Sequence, residues 1–151
     1  MNTFFAIAFQ ISAMTISDAS AQSMIDGCMV YAAENDLTVA VAVVDRQTDL
    51  AAYRRMDLLR AGPAKLAMEK ADYAARWGSP TQRLRESVED GSLAWALGSR
   101  GAPVGGGVPV YSKDGDLLGA IGVSGASQEQ DIACAEAGIA KAGLKASRSQ
   151  N

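Results

Sequence analysis

Lys70 is the residue whose type fits its neighbourhood least. Residues 63–77, PAKLAMEKADYAARW, read as a helix that Pro63 opens and Gly78-Ser79-Pro80 stops. At about 100° per residue, Lys65, Glu69, Asp72 and Arg76 fall on one narrow face. Lys65–Glu69 and Asp72–Arg76 are spaced i,i+4, a solvated stripe. Lys70 points the other way, among Pro63, Leu66, Tyr73, Ala74 and Trp77. A cation so placed must snorkel, find a carboxylate or face a cavity. Burial lowers a lysine's pKa, which suits a base, an amine nucleophile or an anion anchor. The structural alternative is an ion pair, with Asp57 or Asp131 as partner. Both readings stand on the sequence.

The other groups that could do chemistry are fewer. In Arg54-Arg55-Met56-Asp57, strand alternation sets Arg54 and Met56 on one face and Arg55 and Asp57 on the other. Arg55 could meet an anionic ligand; Tyr53 and Met56 suit a core. Arg100 lies beside Gly105-Gly106-Gly107, where a flat ligand could approach bare backbone. Ser124-Gly125-Ala126-Ser127 presents amides at a helix start, an anion-binding feature. Glu86, Glu89 and Asp90 show no pairing for acid–base work.

What is missing restricts the chemistry further. The chain has 151 residues and no histidine. That removes Ser-His-Asp and Cys-His mechanisms and every histidine-ligated zinc or haem site. A net charge of −3 offers no basic face to nucleic acid or an anionic membrane. Cys28 and Cys134 each sit in an apolar, helix-like run, so buried free thiols are expected.

The elements that must position these groups follow from pattern. Ser17-Asp18 starts a helix that ends at Glu34-Asn35-Asp36. TVAVAVVD, residues 38–45, is a valine-rich strand, and LAAYRRM returns antiparallel after Arg46–Asp49. Thr81 should cap a short helix running to about Val88. Residues 91–106 are mostly irregular. Residues 105–125, GGGVPVYSKDGDLLGAIGVSG, are not a phosphate loop, for they lack Gly-Lys-Ser/Thr and Gly-x-Gly-x-x-Gly. They read as two strands, Gly107–Tyr111 and Leu117–Ser124, around an Asp-Gly turn. Ser127 and Gln130 form a capping box for the last helix. The tail after Leu144 is polar and expected to fray. The order α-β-β-α-α-β-β-α implies an α+β domain with an antiparallel sheet.

VAVVD, AAYRRMD, MEKADYAA, SPT, GGGVPV, DGDLLGAIGVSGA and QEQDIACA, in that order, resemble the GlcG/HbpS-like family. The same module forms the C-terminal domain of PduO-type cobalamin adenosyltransferases. The resemblance covers residues 15–144. It implies a profilin-like fold, a five-stranded antiparallel sheet with helices on both faces. It also implies homo-oligomers, tetramers or octamers, and haem or another tetrapyrrole as ligand in some members. With no histidine, any iron ligand here would be Met, Tyr, Lys, a hydroxyl or water.

The sequence therefore leads to one small-molecule-binding domain over residues 15–146. Residues 1–14 precede it as an apolar arm, edge strand or signal segment, and 147–151 follow as a polar tail. The expected ligand is flat and anionic, a tetrapyrrole or aromatic acid, in a pocket near Lys70. Arg55, Met56, Asp57, Tyr73, Trp77, Arg100, Gly105, Gly106 and Gly107 would surround it. An alternative is a cofactor-free isomerase, tautomerase or lyase with Lys70 as catalytic base or amine nucleophile. A further alternative is a non-catalytic accessory subunit. Neither a metal, a nucleic acid nor a membrane is an expected partner. The expected location is the cytoplasm; Ala19-Ser20-Ala21 leaves export with cleavage after Ala21 as the alternative.

Overall fold

The computed structural model describes residues 15–92 and 102–148. In chain order they form α1 (Asp18–Glu34), β1 (Ala40–Asp45), β2 (Leu50–Arg55), α2 (Ala61–Trp77), α3 (Thr81–Glu89), β3 (Gly107–Tyr111), β4 (Leu117–Ser124) and α4 (Gln128–Lys141). The strands make one antiparallel sheet in the order β2-β1-β4-β3. This is the expected α+β order. Four strands lie among the described residues; a fifth is not among them.

Alternation along β1 divides the core. Val41 and Val43, with Ile121 and Val123 of β4, face α1 and α4 and pack with Met24 and Ile25 of α1. Ala40, Ala42 and Val44, with Ala120 of β4, face α2 and pack with its Ala64, Ala67, Ala71 and Ala74. Helices therefore cover both faces of the sheet. α1 starts where Ser17 Oγ accepts the Ser20 N–H at 3.1 Å. α4 starts with the capping box of Ser127 and Gln130. Gly78, at φ 57°, ends α2 in the left-handed conformation that glycine adopts without a Cβ penalty.

Two helix starts differ from expectation. α2 begins at Ala61, with Arg60 as N-cap, so Pro63 sits in the first turn rather than at its first residue. Proline is tolerated there because first-turn amides have no intrahelical acceptor. α3 is preceded by Pro80 as N-cap, and Thr81 is its first residue. The Thr81 hydroxyl does other work: Oγ1 accepts the Gly107 N–H at 2.9 Å.

The cysteines are a correction. Cys28 and Cys134 are not free thiols; they form a disulfide between α1 and α4, with Cα atoms 4.6 Å apart. Glycines let these helices approach so closely. A Cβ on Gly27 would lie 2.9 Å from Ala137 O and from Gly138 Cα, and one on Gly138 would lie 2.5 Å from Met24 O.

The tail is another correction. Residues beyond Leu144 do not fray at once. Tyr111 N–H donates to Lys145 O at 2.8 Å, and Lys145 N–H donates to Tyr111 O at 3.0 Å. Ala146 packs on the core.

The arm at residues 1–14 lies outside the described residues. Ala21 is fully buried within α1. Cleavage after it would take Ile16 from the core and remove the Ser17 cap. Among the described residues no helix is long and apolar enough to cross a membrane.

Candidate functional site

Lys70 points inward, as its helical position requires, and its side chain is 0% exposed. Of the two partners the sequence offers, the structure selects Asp131. Lys70 Nζ donates to Asp131 Oδ2 at 3.0 Å and to Val123 O at 2.8 Å. Lys70 belongs to α2 and Asp131 to α4, so the pair joins the two helical layers across the end of the sheet. Gly106 makes room for it. A Cβ there would lie 2.9 Å from Lys70 Nζ and 2.5 Å from Val123 O. At φ 119°, Gly106 also adopts a backbone that side chains disfavour. Val123 N–H donates to Gly106 O at 2.9 Å. The Val123 carbonyl thus finds an ammonium where a further ladder amide would otherwise serve.

Burial is the largest influence on both partners. It pushes the Lys70 ammonium below the usual lysine range, while Asp131 pulls it back up. It pushes the Asp131 carboxyl above the usual range, opposed by Lys70 and by the backbone N–H groups of Ala126 and Gly125. Desolvation disfavours each charge, and the partner and its hydrogen bonds offset that. The ammonium has no exposed surface through which to meet a substrate.

The glycine run is held from three sides. Gly105 N–H donates to Gln128 Oε1 at 2.9 Å. Gly107 N–H is taken by Thr81. A Cβ on Gly107 would lie 2.5 Å from Lys70 O and 2.7 Å from Thr81 Cγ2. Bare backbone here accommodates protein. The amides at the start of α4 are engaged likewise: Ala126 N–H donates to Asp131 Oδ1 at 3.1 Å and Ser127 N–H to Gln130 Oε1 at 3.2 Å.

The remaining candidates are spread out. Arg55 and Asp57 are exposed at the end of β2, with β1 and β4 between them and the glycine run. Met56 is half-buried, and its Sδ accepts the Val39 N–H at 3.3 Å. Tyr73 is buried, which raises its pKa. Trp77 stands 61% exposed, its ring centroid 6.4 Å from that of Tyr73. Arg100 lies outside the described residues. The structure thus brings together Lys70, Gly105, Gly106 and Gly107, adds Asp131, and sets Tyr73 and Trp77 further along α2. Sequence reasoning missed the pins Thr81 and Gln128. Their signal was slight: polar side chains at helix starts, where capping explains them equally well.

The donor set does not fit an iron ligated by imidazole or thiolate. The chain has no histidine, and both cysteines are in the disulfide. Tyr111 OH donates to Gly78 O at 2.9 Å, beneath the Arg148 guanidinium at 5.9 Å from its ring. Among the described residues no cluster of acidic or cysteine side chains could hold a metal ion.

A family model described as "Haem degrading protein HbpS-like" matches residues 16–140. The corrinoid adenosyltransferase PduO of Citrobacter freundii is 32% identical over 133 residues, 85% of this chain but 39% of that protein's length. Protein GlcG of Escherichia coli K12 is 34% identical over 109 residues, 72% of this chain and 81% of its own. The crystal structure of a PduOC:haem complex superposes with a TM-score of 0.81 at 26% identity, covering 89% of this chain and 99% of that one.

Proposed function

Because the chain belongs to the HbpS-like family, we propose that it binds a flat, anionic tetrapyrrole of the haem type, and does so without a protein ligand to iron. The observation that carries the reading is the likeness to PduOC in its haem complex, which spans nearly the whole of that chain. The absence of imidazole and free thiolate supports the second half. A planar ring would stack on the exposed Trp77 beside Tyr73. Arg100 is the cation assigned to a ligand carboxylate. Lys70 does not touch the ligand; together with Asp131 it fixes the framework behind it. The same family reading supports assembly with copies of itself. The disulfide supports an oxidising compartment over the cytoplasm expected from sequence.

Titration with haem and with metal-free protoporphyrin tests this, read from the shift in ligand absorbance. Comparable affinity for the two is the expected result, with Trp77→Ala weakening both by roughly tenfold. Failure of either ligand to bind overturns the reading, and much tighter binding of haem than of protoporphyrin overturns the claim about iron.

A further inference from the structure

The two edges of the sheet are finished differently. At β3 the segment around Lys145 pairs with Tyr111, and Pro109 has no N–H to offer a newcomer. At β2 nothing among the described residues pairs with the outer side. Nor does the α2 layer bury the β2 side chains on its own side: Leu50 is 53% and Tyr53 39% exposed. An open edge with exposed apolar side chains is a template for another strand. We propose that a second copy of this chain pairs antiparallel with β2 about a two-fold axis, joining the two sheets into one. This rests on the assembly reading above and names its surface.

The occupant follows from the facing of the residues along β2. Leu50, Tyr53 and Arg55 pair with Val44, Ala42 and Ala40, so they share the α2 side. The register shifts between Val43 and Val44, and Ala51 and Ala52 both pack on the α1 and α4 side. Arg54 faces that side too, pairing with Asp26 of α1 at 3.0 Å. Antiparallel neighbours set side chains of like facing opposite one another. One self-pairing does so across the irregularity: Ala51 opposite the partner's Ala52. It sets Leu50 opposite the partner's Tyr53, an apolar pair, and Asp49 opposite the partner's Arg54, an opposite-charge pair. The two-fold axis repeats each. Sliding by one residue sets Leu50 against the partner's Arg54 or the partner's Ala52, both of which face the other way. A strand that matches itself in facing and in charge in this register, and in neither adjacent one, favours a second copy over a foreign peptide.

Light scattering on the full chain reads the assembled mass. Leu50→Lys with Tyr53→Lys places cations opposite one another, and the expected mass is half that of the wild type, with far-UV circular dichroism unchanged. Leu50→Cys with Tyr53→Cys gives an independent check, since the native cysteines are already bridged. Mild oxidation should then yield a covalent dimer on a non-reducing gel. An unchanged mass for the lysine variant, or a cysteine variant that stays monomeric, overturns the surface while leaving assembly intact. A monomeric wild type overturns both. If that monomer also protects its β2 amides from hydrogen exchange, another part of the same chain covers the edge.

Discussion

The two faces of this sheet are packed by opposite means. Against α1 and α4 the sheet sends Val41, Val43, Ile121 and Val123, which meet Met24, Ile25 and Ile139, and a disulfide ties the helices. Against α2 it sends Ala40, Ala42, Val44 and Ala120, which meet the α2 alanines Ala64, Ala67, Ala71, Ala74 and Ala75, with Leu59 at the margin. Gly122 brings the α2 backbone against the sheet backbone. The first face is stabilised by volume removed from water, so it tolerates the loss of a methyl group. The second is stabilised by closeness, so it should not tolerate the gain of one. Gly122 and Gly107, where an added Cβ would strike the α2 backbone, mark the second face, and Lys70–Asp131 closes its end.

The largest effect should come from filling the α2 face. A Cβ on Gly122 would strike Ala67 O and lie 2.6 Å from Ala71 N. These are backbone atoms of a helix and cannot swing aside. Gly122→Leu should cost more than about 4 kcal/mol and remove soluble, folded protein, as judged by yield and circular dichroism. A variant with the wild-type urea midpoint would break the comparison outright.

Next comes the covalent tie on the opposite face. The bridge closes a loop with a sequence separation of 106. In the chain-entropy description such a loop contributes about 4–5 kcal/mol. Cys28→Ala with Cys134→Ala, or reduction of the wild type, should lower Tm by on the order of 10–20 °C. Equal Tm values with and without reductant would show that the α1 and α4 face stands on packing alone.

Much of this was legible in the sequence. Alternating valines placed β1, Asp114-Gly115 placed the hairpin, Ser127 with Gln130 placed α4, and a helical wheel turned Lys70 inward. Each is a local pattern with a period or a cap behind it. The disulfide was hidden because each helix shows only its own apolar face; which faces meet is decided by the fold. Gly27 beside Cys28, and Gly138 one turn after Cys134, were the only hint of a close crossing. The docking of Lys145 was hidden for another reason. It uses backbone N–H and C=O groups, which every non-proline residue has, so composition carries no trace of it. The exposure of Trp77 was hidden as well, because its type suggests burial while its place at the end of α2 leaves it in solvent.

The buried pair should come third. Asp131→Ala leaves the Lys70 ammonium in a desolvated site and also strips Ala126 N–H of its acceptor. The expected cost is about 3–4 kcal/mol in urea unfolding. Replacing both partners, Lys70→Met with Asp131→Leu, removes the charges together and should recover most of that loss. A double variant as unstable as Asp131→Ala would mean that the hydrogen bonds to Val123 O and Ala126 N–H, rather than the paired charges, hold the layers.

The smallest effect sharpens the comparison most, because it sets adjacent residues of one strand against each other. Ile121 is fully buried towards α1 and α4, and its neighbour Gly122 faces α2. Ile121→Val deletes one methylene's worth of contact and leaves a small void, at about 1 kcal/mol. Gly122→Ala adds one methyl, and strand propensity alone would make that change favourable. If closeness governs the α2 face, the addition must nevertheless cost several times more than the deletion. If volume governs both faces, the deletion will cost more, and the alanine-lined layer is only an ordinary core with smaller side chains. Two urea titrations on adjacent positions therefore decide which physics holds α2 to the sheet.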